Sequence, residues 1–502
     1  MSRRSKISTT VVATSLAITV PAIALAQETA PAEVTVDFSK SRGAYLHPER
    51  YNNVSRARTF PEQRDADVEF LNANGLHGKV YKVWVDAHLI LDAKTGVYNY
   101  DGITDYLSDL SRLSETLLVV MDTRVMVRDA GATPEQVKPV VKTILRELKQ
   151  RFPKIVYIEA FNEPDHNLAK VVKPGDLYAF YKPYYEAVNE LNRELKPKVP
   201  MQIGGPGFMQ YNELWTNAFL DDFKADRTPG KRIDFFSWHG YGRFPEGTGE
   251  TTGPRAYHFY KFDPSEVASE RGRFEKALTS RGLNTKIPAF ITETGIYPGP
   301  SFDNAKDPHA DALTGAAGVT ALHYWYMENP RTIPFNWVMR HFSEERKDQL
   351  ATRAGAGNPI PTRTFTPYGN AMAMQAKLKD RRVAARSNAL VQGKGVYAIA
   401  TSDKSGAAVM VWNYQHTDSK NFDLKIDLGR LPANLKGKTL RERRYRIDQN
   451  VSNYWTDPAK ANLQMVSETI VVPTKRHSVS VTLTPNALEL VELEPVSTAK
   501  GK

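Results

Sequence analysis

Between residues 79 and 340 short apolar runs alternate with longer stretches in which apolar positions recur every three to four residues. The short runs fall at 79–85, 117–122, 155–161, 200–205, 234–241, 287–293 and 334–340. Several are rich in Val, Ile, Phe and Tyr, as strands inside a sheet are. A weaker candidate at 54–59 brings the count to eight. From Asp176 onward, Leu177, Phe180, Tyr181, Tyr184, Tyr185, Val188 and Leu191 share one helical face. Asp176 is an N-cap candidate there, and Pro183 interrupts the pattern as a possible kink. Thr133-Pro134-Glu135-Gln136 has the form of a capping box with proline at the first helical position. It predicts a helix that ends before Phe152-Pro153, and 310–327 predicts another. Strand–helix alternation implies a parallel sheet. Eight such units are the content of a (β/α)8 barrel.

The pattern changes near residue 381. Short alternating runs follow at 395–401, 407–414, 421–428, 440–447, 469–472 and 479–484, separated by turn residues. They predict an antiparallel β-sandwich, and 34–38 is expected to add a strand to it from the other end of the chain. The expected organisation is a signal peptide at 1–26, an N-terminal segment at 27–41, a catalytic barrel at 42–380, the sandwich at 381–496 and a disordered tail at 497–502. No internal repeat or low-complexity segment is visible.

Composition narrows this picture. The 502 residues are 41% hydrophobic and 25% charged, which is ordinary for a globular protein and excludes wholesale disorder. The absence of cysteine excludes disulfides, thiolate metal sites and a cysteine nucleophile. Arg3, Arg4 and Lys6 precede a mostly apolar run at 11–25, and Ala24-Leu25-Ala26 supplies the small residues of a cleavage site. This reads as an export signal cleaved after Ala26, so a secreted or periplasmic protein is expected. The run is interrupted by Pro21 and is too short for a membrane anchor. The net charge of +11 becomes +8 without the three cations of the signal. A basic surface suits solubility or an acidic glycan; no nucleic-acid recognition motif accompanies it.

Functional groups of such barrels sit at the carboxyl ends of strands. The fourth strand of the eight ends in Asn162-Glu163-Pro164 and the seventh in Thr292-Glu293-Thr294-Gly295. Either motif alone is a common loop sequence. Together they supply two carboxyl groups, which glycosidic hydrolysis requires on either side of the anomeric centre.

On these two motifs, the strand count and the terminal sandwich, the chain resembles the clan of (β/α)8 glycosidases with glutamates after strands four and seven. Within that clan it is most similar to glycoside hydrolase family 39, which includes β-xylosidases and α-L-iduronidases. The resemblance implies a retaining enzyme with Glu163 as acid/base and Glu293 as nucleophile. It further implies that Asn162 hydrogen-bonds the sugar 2-hydroxyl and that His239 or Tyr241, in Ser237-Trp238-His239-Gly240-Tyr241, lies beside the nucleophile. Trp337 would be the apolar floor under the sugar, with Trp325 left to packing. The segment Arg444-Tyr445-Arg446 through Asn453 resembles the family's sandwich segment near the barrel. Its arginines would meet a sugar carboxylate or sulfate, or simply form an exposed charged strand.

Asp86 and His88 follow the second strand, and Asp122 and Arg124 the third, where each faces the barrel mouth. His88 and Asp122 are candidate sugar ligands outside the family's pattern. No cofactor is expected: there is no dinucleotide or phosphate loop, since Gly204-Gly205-Pro206-Gly207 lacks the spacing. No metal is expected either, for want of His-x-x-x-His or an acidic cluster. The expected partner is an oligo- or polysaccharide. A carbohydrate-binding barrel without catalysis and a transglycosylase with the same carboxylates are the rival readings. The Gly- and Pro-rich stretch 243–273 is a candidate for closing one end of the groove.

Overall fold

The computed structural model describes residues 29–53, 64–241, 263–295, 308–337, 363–415, 420–473 and 476–496. The expected signal (1–26), tail (497–502) and strand at 54–59 lie outside them, as does most of 243–273.

After an N-terminal strand, β1 (Thr29–Ala44), eight parallel strands close a barrel in chain order. They are β2 (Tyr51–Asn53), β3 (Gly78–Asp86), β4 (Ser114–Asp122), β5 (Ile155–Ala160), β6 (Gln202–Phe208), β7 (Phe235–Gly240), β8 (Ala289–Thr294) and β9 (Thr332–Asn336). Among the described residues the first barrel strand is Tyr51–Asn53, directly before the expected 54–59. Pairing with β3 and β9 defines it.

Side chains of one parity along the strands meet in the barrel interior, where Tyr51, Val80, Trp84, Leu118, Val120, Phe235, Phe290 and Phe335 form one cluster. Phe235 and Phe290 stack there at 4.5 Å. The opposite parity, including Tyr81, Val83, Val85, Leu117, Val119 and Met121, packs under the outer helices. Both faces of every strand are thus buried, which is why these strands read as continuous apolar runs. Lys82 and Glu159 have the inward parity and are fully buried despite their charge.

The helix Pro134–Arg151 begins as expected, with the Gln136 carbonyl accepting from the Thr133 backbone N–H at 2.9 Å. Leu177–Leu195 is continuous through Pro183. Asp176 precedes it but makes no capping bond, because it closes a 3-10 turn, Pro174–Asp176, that leads the chain in. The third expected helix is Pro308–Tyr326.

The C-terminal strands are β10 (Arg381–Ser387), β11 (Leu390–Val391), β12 (Lys394–Ser402), β13 (Ala407–Tyr414), β14 (Asn421–Gly429), β15 (Leu440–Ile447), β16 (Gln464–Val471), β17 (Arg476–Leu483) and β18 (Leu488–Pro495). Hydrogen bonding orders them β16-β15-β18-β13-β12-β10-β1-β14-β17, with β11 on β12, as one curled sheet. The N-terminal strand joins it as expected, but the sheet is not wholly antiparallel. β1 lies between β10, to which it is antiparallel, and β14, to which it is parallel. A strand between two antiparallel neighbours must run parallel to one of them.

Val34, Val36, Phe38, Val409, Val411, Leu424, Ile426 and Val481 fill the inside of the curl. The other face of β12 and β13 packs on the barrel. Tyr397 stacks on Trp412 at 4.9 Å, and its hydroxyl accepts from the Trp325 indole at 2.9 Å. Trp325 is therefore a packing residue, as expected. Buried aromatics of this size contribute about 2–3 kcal/mol each to holding the sheet against the barrel.

Candidate active site

The chain leaves β5 in an unusual conformation. Phe161 (φ 72°) and Glu163 (φ 49°) are both left-handed and flank Asn162. Each such non-glycine residue costs about 1–3 kcal/mol and persists only where its surroundings hold it. Here the Glu163 N–H donates to the Gly207 carbonyl at 2.7 Å. Gly207 is itself left-handed (φ 65°), and a Cβ there would sit 3.2 Å from a Glu159 carboxyl oxygen and 3.3 Å from the Phe161 carbonyl. The close approach of β6 to the end of β5 thus aims Glu163 into the mouth of the barrel. Two residues on, Asp165 accepts from the Met209 N–H at 2.9 Å and the Asn212 amide at 3.2 Å.

The Glu163 side chain is 24% exposed. Burial raises its pKa above the usual carboxylate range, and the charges of Lys82, His166 and Arg124 oppose that rise. Asn162 is buried beside it, its carbonyl accepting from the Asn167 amide at 3.0 Å.

Glu293, near the end of β8, is buried and receives two donors, with His239 close beside them. The Tyr241 hydroxyl donates to Oε2 at 2.7 Å, and His239 Nδ1 stands 3.4 Å from the same oxygen. Lys82 Nζ lies 3.3 Å from Oε1. His239 Nδ1 is also 3.0 Å from Glu163 Oε1, so one imidazole bridges the two carboxyl groups. Burial holds the His239 pKa down at about 4, against the opposing pull of Glu293, so the ring is neutral at neutral pH. Its tautomer follows from its other neighbour. Lys82 Nζ, 3.4 Å from Nε2, has only hydrogens to offer, so Nε2 accepts and Nδ1 carries the proton toward the carboxyl groups.

Lys82 is held in turn by Glu159, 3.2 Å away and as deeply buried, and lies 4.9 Å from the centre of the Trp84 ring. The Thr292 hydroxyl donates to Glu159 Oε1 at 2.7 Å. Ligand atoms of Glu163, His239 and Glu293 all lie within 4.8 Å of one another, a spacing that also suits a cation. The Lys82 ammonium already supplies positive charge at this point and would repel a metal ion.

Trp337, partly exposed, meets Trp84 edge-on at 6.5 Å and Tyr241 at 6.3 Å, giving the mouth an aromatic side next to Glu293. The structure therefore brings Glu163, Glu293, Asn162, His239, Tyr241 and Trp337 to one end of the barrel. Asp122 is buried at the end of β4, accepting from the Arg124 N–H at 2.9 Å and pairing with its guanidinium at 3.1 Å. Asp86 pairs with it in register at the end of β3. His88 is exposed on the short helix Ala87–Ile90. Arg444 and Arg446 both engage Glu489 on β18, at 2.6 and 2.7 Å.

Lys82 and Glu159 were not expected. Each lies inside an apolar run, and a charge inside a strand buried on both faces requires a buried partner of opposite sign. That requirement is the signal in the sequence that points to them.

No protein-family model and no curated protein sequence matches this chain. Solved structures do resemble it. The bacterial orthologue of human α-L-iduronidase superimposes with a TM-score of 0.68 at 14% identity, covering 93% of this chain and 84% of that one. A monomeric β-xylosidase from Caulobacter crescentus gives 0.65 at 14% identity over 93% of this chain and 100% of that one. A GH39 enzyme from Xanthomonas axonopodis pv. citri gives 0.63 at 13% identity over 95% and 100%. These likenesses establish a shared fold of barrel and terminal sheet.

Proposed function

We propose that this chain is an exported retaining glycoside hydrolase that cleaves O-glycosidic bonds of an oligo- or polysaccharide by double displacement. The observation that carries the reading is the separation of the two carboxyl groups. Glu163 and Glu293 each present an oxygen within 4.8 Å of the other. Retaining enzymes hold their carboxyl groups about 5–5.5 Å apart and inverting ones spread them to about 6.5–9.5 Å to admit a water, so nearest oxygens this close favour the retaining arrangement.

In the first step Glu163 gives its proton to the leaving oxygen as the bond from that oxygen to the anomeric carbon breaks. Glu293 bonds to the same carbon, forming a glycosyl-enzyme. In the second step Glu163, now a carboxylate, takes a proton from water, whose oxygen displaces Glu293. The environments suit these roles. Burial favours a protonated Glu163, and Tyr241, Lys82 and His239 turn positive atoms toward Glu293. Asn162 is set to meet the sugar beside Glu163, and Trp337 to lie against its apolar face. Engagement of Arg444 and Arg446 by Glu489 leaves an acidic substrate with less support than a neutral one. Export rests on the basic start, the apolar run and Ala24-Leu25-Ala26, and N-terminal sequencing of the mature protein tests it.

The deciding assay uses 4-nitrophenyl xyloside, arabinoside, glucoside and glucuronide, each as both anomers, together with neutral and acidic oligosaccharides. Wild type is expected to release a sugar whose first-formed anomer, read by NMR, has the configuration of the substrate. Glu293→Gln and Glu163→Gln are expected to lose that activity. An inverted product, or activity unchanged in both variants, overturns the reading.

A further inference from the structure

We propose that Glu159, which does not reach the sugar site, is the positioning residue for Glu293, acting at once through Lys82 and through Thr292. This inference rests on the double-displacement reading above.

Glu159 sits on β5 four residues before Glu163, at an inward position, with no exposed surface. Its two carboxyl oxygens hold different things. Oε1 accepts from the Thr292 hydroxyl at 2.7 Å, and Thr292 is the residue immediately before Glu293 on β8. Oε2 pairs with Lys82 Nζ at 3.2 Å, and that same ammonium lies 3.3 Å from Glu293 Oε1. One carboxylate thus fixes the backbone from which Glu293 projects and the cation its head meets. The absence of a side chain at Gly207 leaves room for this, since a Cβ would stand 3.2 Å from Glu159 Oε1.

Charge balance gives the arrangement its reason. Lys82 faces Glu159 from β5, Glu293 from β8, the neutral His239 from β7 and the Trp84 ring from β3. A buried ammonium with one carboxylate partner loses that partner's charge when Glu293 bonds to the sugar. With Glu159 present, Lys82 remains paired through the whole cycle and keeps its place. Glu163 faces Glu293 and His239 within 4.8 Å and feels the charges of Lys82, His166, Arg124 and Asp165, so a change of charge at the Lys82–Glu159 pair bears on its proton.

The two halves of the pair therefore have opposite effects on one observable. Removing the positive charge with Lys82→Met is expected to move the alkaline limb of the kcat/KM profile to higher pH. Removing the negative charge with Glu159→Gln is expected to move it to lower pH. In both, kcat falls by about 10–100-fold with KM changed by less than about threefold, the size of effect seen when the residues supporting a site are lost. Thr292→Val removes the hydroxyl tie and no charge, so it is expected to lower kcat without moving the limb.

The assay uses whichever 4-nitrophenyl glycoside the wild type hydrolyses, and crystal structures of the wild type and Glu159→Gln are read alongside it. The expected structure has Lys82 Nζ or the Glu293 carboxylate displaced, breaking the 3.3 Å contact. Limbs that shift in the same direction, or wild-type kcat in Glu159→Gln, overturn the proposal. So does an undisturbed Lys82–Glu293 contact. If no glycoside is hydrolysed, the proposed function fails on its own, and the crystal structures still decide whether Glu159 positions Glu293.

Discussion

Two regions of this molecule bury carboxylates beside cations, and they do it with different balance. Around the barrel axis, Glu159, Glu163 and Glu293 converge on one cation, Lys82, and one neutral imidazole, His239. On the C-terminal sheet the fully buried Glu489 receives two guanidiniums, Arg444 and Arg446. With Asp448 4.0 Å from Arg446, the sheet cluster matches two carboxylates with two guanidiniums. The barrel cluster is short of cation, so one of its three carboxyl groups is better off protonated. Glu163 is the one of the three whose pKa burial raises, which fits it best for that part. A buried charge that is fully matched builds structure; one left unmatched stores a proton for use.

The sharpest test of that contrast sets Glu293→Gln against Glu489→Gln. The first is expected to cut kcat by about 10⁴-fold or more, as loss of a nucleophile does, and to leave the unfolding midpoint nearly unchanged. The second is expected to cost about 1–3 kcal/mol in denaturant unfolding, since it takes the buried carboxylate from Arg444 and leaves Arg446 only Asp448 at 4.0 Å, with kcat/KM within about twofold of wild type. Rate and stability losses appearing together in both variants would erase the distinction.

The barrel's neutral histidines offer a second test, through pH. Burial holds both His239 and His323 at a pKa of about 4, well below the 6.5 of a free imidazole. In this window the unfolded chain binds protons that the folded one refuses. The stability of neutral burial is therefore whole above pH 6.5 and is lost as pH falls toward 4. Asp165, raised by burial to about 6, works in the other direction, so the comparison is made by difference. Between pH 6.5 and 4, wild type should lose about 3 kcal/mol relative to His323→Gln in urea unfolding. Parallel curves for the two proteins would mean that His323 is charged in the fold.

Smaller again is the effect expected of Tyr241→Phe. It removes one 2.7 Å bond to Glu293, worth about 1.5–3 kcal/mol when the acceptor is charged. A kcat loss of about 10–100-fold in steady-state kinetics would match this. The smallest is Arg444→Met. Arg446 stays on Glu489, so a stability change under about 1 kcal/mol and unaltered kinetics are expected. A larger kinetic effect would bring Arg444 back as a substrate ligand.

Legibility in the sequence follows the same division. The barrel strands were readable because burial on both faces makes them apolar throughout, and Glu163 and Glu293 because each closes such a run. β2 was not readable, since pairing with β3 and β9 in the closed barrel rather than composition makes it a strand. β10 and β18 escaped for a different reason. Arg381-Arg382 and Glu489, Glu492 and Glu494 give them the look of solvent-facing segments, yet Glu489 and Glu492 are buried by their cations. Lys82 and Glu159 stayed hidden likewise, because the pairing of distant charges is a property of the closed barrel. Phe161 and Glu163 give no sign of their left-handed backbone, which a neighbouring strand imposes through Gly207.

The place of β1 also sets a timetable. It lies between β10 and β14, so the strand synthesised first finds its partners only after about 340 further residues have been made. At about 5–20 residues per second that is a wait of tens of seconds with a β-forming segment unpaired. Ser39, Lys40, Ser41 and Arg42, at the break in its pairing with β10, keep part of that segment polar during the delay. Placing β1 is then a stitch between the first strand and two strands made far later, and removing β1 should open the seam between β10 and β14.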